Sequence, residues 1–303
     1  MSGRKKSLGS RVAYRLLGLA YRVFGYRIIA AFARLISLYY WLFLRDTVAS
    51  SVDFYAALYP DETPKQRRRR ARAQFRSFTT VFVDRFLLES GHHDRFTLTH
   101  DGLDGIIAAA RDRKPVILWM AHLGNWEVSA HCLKRFDVPL TLVIGKYENE
   151  KIEAFQRDRL AEQRVRLVAV EDDSSFGVVE VVKSLKAGDL VTISGDRLYS
   201  EKQRSLEVDF LGHTCRVPIG PYALAGVTGA PLVPAFGLRE GPLRYRFIAL
   251  PPRRVDFSSR AGRDAAMAEA AQSCFDDLSA MARRYPDQWY NFFVYWRQGL
   301  PLN

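Results

Sequence analysis

The sequence predicts an α/β fold with a mostly parallel central sheet flanked by helices, preceded by an N-terminal membrane-associated helical extension. Of 303 residues, 48% are hydrophobic and 26% charged, which is enough apolar surface for a packed core. From about residue 95, short apolar runs alternate with helical patterns at the spacing of βαβ units. We therefore predict a membrane-associated segment over 1–45 and a domain over 46–303, with a helical lead-in over 46–94 and an α/β core from about 95.

The positive charge is concentrated in the first third of the chain. The formal net charge is +12, and residues 1–90 hold 17 Lys and Arg against 6 Asp and Glu. The remaining residues hold 28 and 27, which nearly balance. Such a basic excess attracts an anionic partner, namely a membrane lipid, a nucleic acid or an acidic protein.

Residues 1–45 favour a membrane surface among these partners. The longest apolar run, 28–44, has 17 residues and contains Arg34. A spanning helix needs about 20 mostly apolar residues, and an arginine at mid-bilayer is costly. We predict a helix in the interface, with the aromatic residues of 39–41 at headgroup level. No small-residue cleavage site of a signal peptide follows. The alternative is a buried domain helix whose arginines reach the solvent.

A second basic run, 65–72 (KQRRRRAR), begins after Pro64 and leads into the apolar stretch 75–88. We predict that it forms the solvated first turns of a helix, with contact to anionic lipid as the alternative. The sequence contains no motif of a known RNA-binding module, so we expect no nucleic-acid partner.

The α/β core is predicted element by element from its apolar runs and their periodicity. The predicted strands are 96–99, 115–121, 140–144, 165–170, 190–194, 231–236 and 244–250. The predicted helices are 103–113, 123–136, 152–163, 176–186, 218–226 and the Ala-rich 262–284.

Three cysteines (Cys132, Cys215 and Cys274) without C-x-x-C spacing are typical of a reducing compartment and argue against a structural zinc site. We expect Cys132 and Cys215 to be packing residues rather than nucleophiles. The sequence also lacks a Walker A loop, a His-Glu-x-x-His motif and a dinucleotide fingerprint. We therefore expect no metal and no cofactor.

The candidate chemistry lies where the strand 115–121 (PVILWMA) ends, at the sequence HLGNWE of 122–127. Parallel α/β folds bind ligands at the ends of their strands. His122 is suited to general-base catalysis near neutral pH, and a carboxylate can orient and stabilise its imidazole. Residues five apart on one helix point about 140° apart. The two side chains can therefore meet only if His122 lies in the turn and Glu127 lies in the first helical turn. The alternative is a helix start with incidental polar residues.

The segment resembles the His-x-x-x-x-Asp/Glu motif of the lysophospholipid acyltransferase superfamily. HLGNWE is similar to the branch that contains the lauroyl and myristoyl acyltransferases of lipid A biosynthesis, and mycobacterial phosphatidylinositol mannoside acyltransferases are similar too. Further segments match that branch in order and spacing over about 100–240. They are 210–212 (FLG), 217–221 (VPIGP), 224–225 (LA) and 228–234 (TGAPLVP).

The resemblance implies that His122 and Glu127 form a catalytic dyad. His122 would take a proton from an acceptor hydroxyl, which would attack an acyl thioester on acyl carrier protein or coenzyme A. The acceptor would be a glycolipid or a related membrane lipid such as a lipid A precursor, at the cytoplasmic face of a bacterial inner membrane. No covalent enzyme intermediate is implied, and no Gly-x-Ser-x-Gly elbow is present to form one.

The resemblance also implies three further substrate-binding positions beside the motif residue Asn125. In this family a motif after the strand 190–194 helps to bind the acceptor or to shape the catalytic pocket, and Asp196 and Arg197 follow that strand here. Lipid A enzymes often have two acids separated by one residue, but Gly195 replaces the first, which argues against lipid A itself as the acceptor. Arg197 could bind a phosphate or carboxylate, and a simple Asp–Arg loop pair is the alternative. The family has an arginine near 146–164, and the candidates here are Arg157, Arg159 and Arg164. We assign the role to Arg159, with solvated helix residues as the alternative.

Two broader alternatives remain. The aromatic C-terminal run 289–296 is interpreted as core packing, with membrane-surface anchoring as the alternative. For the whole chain, the alternative to an acyltransferase is a non-enzymatic basic membrane-associated protein that binds anionic lipid or nucleic acid.

Overall fold

The computed structural model describes residues 3–145, 165–170, 175–198, 200, 203–257, 259, 262–293 and 295–298. The predicted fold class is confirmed, because a seven-stranded, mostly parallel sheet is flanked by helices. The helix predicted at 152–163 and the candidate Arg159 lie outside the described residues.

The elements are numbered in chain order among the described residues. The helices are α1 Gly3–Phe43, α2 Arg45–Leu58, α3 Pro64–Glu89, α4 Asp104–Arg111, α5 Trp126–Lys134, α6 Ser175–Lys186, α7 Gly220–Thr228, α8 Arg263–Arg284 and α9 Tyr295–Gln298. The strands are β1 Thr97–Asp101, β2 Val116–Met120, β3 Leu140–Gly145, β4 Val165–Val170, β5 Leu190–Ser194, β6 Ser205–Phe210, β7 His213–Pro218, β8 Leu232–Gly241 and β9 Arg244–Ala249.

The sheet order places the candidate site at the centre of one sheet edge. The strands run β1-β9-β8-β2-β5-β3-β4, and all neighbours are parallel except β8 and β9. Every residue of β2 is buried, as expected for a central strand covered on both faces. Met120 of β2 lies opposite Ser194 of β5. The residues that follow these two strands therefore emerge side by side.

The hairpin formed by β6 and β7 is absent from the sequence prediction. Its two strands pair antiparallel and meet at Leu211 and Gly212, whose φ angles are 56° and 81°. A two-residue turn with two positive φ values matches the twist of the flanking strands and usually carries Asn-Gly or Asp-Gly. Leu211 stands at the first turn position in place of Asn or Asp, so the sequence lacks the pattern that predicts such a turn.

The N-terminal helix α1 bends at Gly25, where the backbone has a φ of 69°. Glycine adopts this conformation at little energetic cost because it has no Cβ. Beyond the bend, Ile29 and Ala33 are buried in a cluster with Val83 and Phe86 of α3. The other side of α1 is a wide exposed apolar face. Its members are Leu19, Val23, Phe24, Ile28, Phe32, Leu35, Ile36, Leu38, Tyr39, Leu42 and Phe43.

Within the part of the chain that the structure describes, one helical stretch is long and apolar enough to cross a membrane: Val23–Phe43, with 21 residues. The basic run beside it forms the first turns of α3, as predicted. The helix is capped by Thr63, whose side chain accepts from the Gln66 amide. Most of the basic side chains there are exposed.

A buried ionic network ties the helices to the sheet. The Asp84 carboxylate of α3 is fully buried and accepts from Arg239 Nε of β8 at 2.8 Å. It also accepts from the hydroxyls of Tyr245 at 2.8 Å and Tyr26 at 3.0 Å. Burial raises the pKa of Asp84 despite these donors. Because a buried charge without a partner is expensive, the network makes one arrangement of α1, α3, β8 and β9 strongly preferred.

We expect Asp84→Ala to lower the free energy of unfolding by about 3 kcal/mol, because it leaves the mostly buried Arg239 without its carboxylate. Urea unfolding followed by circular dichroism measures this loss. Asp101→Ala is the matched control, since it also removes an arginine partner, Arg246, but both of those side chains are partly exposed. It should change stability little, and equal losses for the two variants would contradict the argument.

Candidate active site

The backbone of the turn that carries His122 lies in direct contact with the backbone of the neighbouring strand β8. Gly124 has a φ of 85°, and a Cβ there would lie 2.1 Å from the Gly237 carbonyl oxygen. The Asn125 amide donates to that same oxygen at 2.8 Å. Glycine at 124 thus allows the backbone approach that fixes the direction of His122.

Asn125 occupies the start of helix α5. Its side-chain Oδ1 accepts from the Val128 amide at 3.3 Å, which is the pattern of an N-cap residue. The residue is buried, with 1% of its surface exposed. Helix capping therefore accounts for the position of Asn125. The predicted contact of Asn125 with substrate stays a prediction.

His122 and Asp196 form the central contact of the site. Asp196 Oδ1 lies 2.7 Å from His122 Nδ1, and Asp196 Oδ2 accepts from the His122 backbone amide at 2.8 Å. One carboxylate therefore binds both the ring and the main chain of the same residue. This holds the imidazole in one orientation with its proton on Nδ1, which leaves Nε2 as the basic nitrogen.

Asp196 is itself held from all sides. Its side chain accepts from Ser194 Oγ at 3.1 Å and from Asn291 Nδ2 at 3.3 Å, and its backbone carbonyl accepts from the Tyr295 hydroxyl. The carboxylate has no exposed surface. Burial opposes its charge, but His122 and Arg197 together hold the pKa of Asp196 well below its usual range. The group is therefore a permanent anion behind the imidazole.

Arg197 approaches the opposite edge of the ring. Its Nη2 donates to His122 Nε2, and its Nη1 donates to Asn291 Oδ1 at 3.3 Å. Arginine has no acceptor atom, so Nε2 must be the acceptor and the imidazole is neutral in this arrangement. The order Asp196, His122, Arg197 follows from these contacts.

The chain matches one family of known proteins over most of its length. The family described as bacterial lipid A biosynthesis acyltransferase matches residues 13–298. The chain belongs to this family. Phosphatidylinositol mannoside acyltransferases of two Mycobacterium tuberculosis strains, CDC 1551 / Oshkosh and ATCC 25618 / H37Rv, are each 25% identical to it over 175 residues. The aligned part covers 56% of this chain and 54% of each relative, so the chain spans about half the length of the curated relatives it matches.

Only the backbone position of Glu127 is described in this family member. His122 lies in the turn after β2, and Glu127 is the second residue of α5. The side chain of Glu127 lies outside the described set, as does Arg159, so their assigned roles stay predictions. The acceptor for His122 Nδ1 is Asp196, which the sequence had assigned to substrate binding.

The C-terminal segment (288–293) completes the support of the site. The Tyr290 amide donates to the His122 carbonyl at 2.8 Å, and the Gly124 amide donates to the Gln288 carbonyl at 2.8 Å. Trp289 and Phe293 are buried in the main core cluster. The structure therefore supports core packing for these aromatic residues. Asn291 and Tyr295 were missed because nothing near them in the sequence marks their contact with Asp196.

Gly195, the departure from the pattern of lipid A enzymes, has a structural explanation. A Cβ at this position would lie 1.9 Å from Trp119 Nε1. The Trp119 ring is fully buried in β2 and its Nε1 donates to the Tyr222 hydroxyl at 3.0 Å. The indole thus occupies the space that a side chain at 195 would need, and an acid cannot be accommodated there without moving it.

The cysteines do not form a second reactive site among the described residues. All three are buried, and burial raises the pKa of Cys132 to about 11 and of Cys215 and Cys274 to about 12. Thiols with such pKa values carry almost no thiolate at neutral pH and are poor nucleophiles. The packing role predicted for Cys132 and Cys215 agrees with this.

We expect Gly195→Ala to lower the free energy of unfolding by about 1–3 kcal/mol, because the new methyl group overpacks the core against Trp119. Thermal and urea unfolding measure it. Gly105→Ala in α4 is the control, since nothing lies within 4 Å of the added Cβ. That variant should keep or slightly gain stability, because Ala is the better helix former.

The lowered pKa of Asp196 predicts how stability depends on pH. The charged form is favoured in the folded state, so the wild type should exceed Asp196→Asn in stability above the usual aspartate pKa of about 4. That difference should shrink as pH falls further and the carboxylate is protonated. Urea unfolding of both proteins across this pH range measures the difference, and a constant difference would contradict the assignment.

Proposed function

We propose that this chain is an O-acyltransferase that moves a fatty acyl group from a thioester to a hydroxyl of a membrane lipid. The observation that carries the proposal is the pairing of His122 with the buried, permanently charged Asp196 at the end of the central strand. A carboxylate in that position orients the imidazole and stabilises the imidazolium that forms in the transition state.

The proposed reaction is a direct transfer. His122 Nε2 removes the proton of the acceptor hydroxyl as its oxygen attacks the thioester carbonyl carbon. A carbon–oxygen bond forms, the carbon–sulfur bond breaks, and the departing thiolate receives the proton from the imidazolium. Asp196 stabilises the imidazolium between these steps. In this proposal Glu127 is a second acid that supports the base.

Chemistry and family membership support the proposed donor and acceptor. Acyl carrier protein and coenzyme A present the same thioester to the base, and the basic charge of this chain suits either anionic carrier. The relatives from Mycobacterium tuberculosis are named for acylating phosphatidylinositol mannoside. We infer a membrane glycolipid or related lipid as the acceptor here, with a lipid A precursor as one member of that class.

His122→Ala should reduce transfer by about 10²–10⁴-fold, the usual contribution of a positioned general base. Asp196→Asn should also reduce kcat, because the imidazolium loses its counter-charge. Transfer of acyl chains from a radiolabelled thioester to extracted membrane lipids measures both. His213→Ala, at an exposed position on β7, is the control and should retain activity. Turnover of His122→Ala at the wild-type rate would rule out the mechanism and favour a non-enzymatic lipid-binding protein.

We further propose that α1 lies along the surface of a membrane, at the cytoplasmic face of the bacterial inner membrane. One side of the helix is buried against α3, which is incompatible with a helix surrounded by lipid. The other side presents large apolar side chains beside the exposed basic residues Arg27 and Arg34. The Arg68 guanidinium lies 5.2 Å from the Trp41 ring, so the basic turns of α3 adjoin this face. Apolar burial combined with attraction to anionic headgroups is typical of interfacial helices.

We expect the double variant Phe32→Glu and Leu35→Glu to lose most of its flotation with vesicles that contain anionic lipid, because two charges would enter the acyl region. Both side chains are exposed, so the fold should survive. Val227→Glu, which replaces a 70% exposed side chain in α7, is the matched control and should float normally. Normal flotation of the double variant would place the membrane contact elsewhere.

A further inference from the structure

The basic nitrogen of His122 is already occupied. Its Nδ1–H is given to Asp196, and its Nε2 accepts from Arg197 Nη2. An imidazole nitrogen has a single lone pair, which lies in the ring plane. The same lone pair therefore cannot accept a proton from a hydroxyl while the guanidinium donates to it.

We propose that Arg197 caps the base in the acceptor-free enzyme, and that an oxyanion on the acceptor, a phosphate or a carboxylate, draws the guanidinium away and frees Nε2. This inference rests on the proposed acyltransferase function and adds a substrate class to it: lipids that carry an anionic group close to the hydroxyl that is acylated. Arg197 is then a specificity residue, and Asp196 is the positioning residue behind the ring.

The contacts of Arg197 allow its guanidinium to leave His122 and to bind an oxyanion instead. Its hydrogen bond to Asn291 is 3.3 Å long, and the residue is partly exposed. A planar guanidinium binds phosphate and carboxylate oxygens through two parallel, charge-assisted hydrogen bonds. Such a pair is stronger than a bond to a neutral imidazole, so an acceptor oxyanion within reach would win the competition.

The charge of Arg197 gives the exchange a second effect. When His122 takes the hydroxyl proton, an imidazolium forms beside the guanidinium, and two like charges oppose each other. An oxyanion bound to Arg197 neutralises that repulsion. An anionic acceptor therefore both uncovers the base and stabilises its protonated form, while water arriving without an anion meets a capped base. This arrangement would suppress wasteful hydrolysis of the thioester.

The capping step can be tested without donor or acceptor. Diethyl pyrocarbonate attacks through the free lone pair of a neutral imidazole, and peptide mass spectrometry gives the rate at each histidine. His122 should react roughly tenfold or more faster in Arg197→Met than in the wild type, because a hydrogen bond from a charged donor is lost. Arg197→Lys, which keeps the charge, should give an intermediate rate. His213 is the internal reference and should be unchanged. Equal rates at His122 in all three proteins would overturn the proposal.

The release step uses the wild-type protein. Inorganic phosphate at the same ionic strength as a chloride control, and phosphatidylcholine vesicles with and without phosphatidic acid, provide the free anion and the lipid headgroup separately. Either source should accelerate modification of His122 in the wild type and have no effect in Arg197→Met. Acceleration by vesicles alone would assign the oxyanion to the bilayer, whereas acceleration by phosphate alone would assign it to the soluble anion. No acceleration by either would overturn the anion-driven release.

Acceptor preference completes the test. With an acyl-coenzyme A donor, the wild type should acylate phosphatidylinositol in preference to the uncharged monogalactosyldiacylglycerol, and Arg197→Met should lose this preference in kcat/KM. If His122→Ala abolishes transfer but the preference survives in Arg197→Met, the inference fails and the proposed function stands. If His122→Ala transfers acyl groups as fast as the wild type, the proposed function itself fails.

Discussion

The structure of the candidate site depends on one buried carboxylate. Asp196 has no exposed surface, and its desolvation is offset by the ring and amide of His122, the hydroxyl of Ser194 and the amide of Asn291. A buried carboxylate remains ionised only where charged or hydrogen-bonding groups surround it. The contacts that keep Asp196 ionised therefore also keep His122 in a single orientation and tautomer.

Helix α3 and the turn that carries His122 are connected through the C-terminal segment. Gln74 of α3 donates to the Trp289 carbonyl at 2.6 Å, and Ser77 of the same helix bonds to the Tyr290 hydroxyl at 2.9 Å. Tyr290 in turn binds the His122 carbonyl. The helix that carries the basic turns is thus two contacts away from His122. If the protein binds a bilayer through α1 and α3 as proposed, His122 is held in a defined direction relative to that surface.

Much of the fold could be predicted because it is encoded locally. Strand β2 is a continuous apolar run, and helix α8 shows the helical period without interruption, so pattern alone located them. The β6–β7 hairpin was missed because Leu211 adopts a left-handed conformation that its residue type disfavours. Tertiary burial of Leu211 outweighs that local preference, and no sequence pattern reports such a balance.

The candidate site, like the fold, could be predicted only where its signal is local in the sequence. The sequence by itself determined the position of His122, since a polar turn at the end of an apolar strand is a local signal, and it singled out Asp196 and Arg197 at a second strand end. Only the tertiary structure decided that these three form one row, because the pairing of β2 with β5 brings together residues 74 positions apart. It also decided that Trp119 excludes a side chain at Gly195 and that Asn291 and Tyr295 hold Asp196. Contacts between distant segments depend on sheet order and packing, which strand periodicity does not specify.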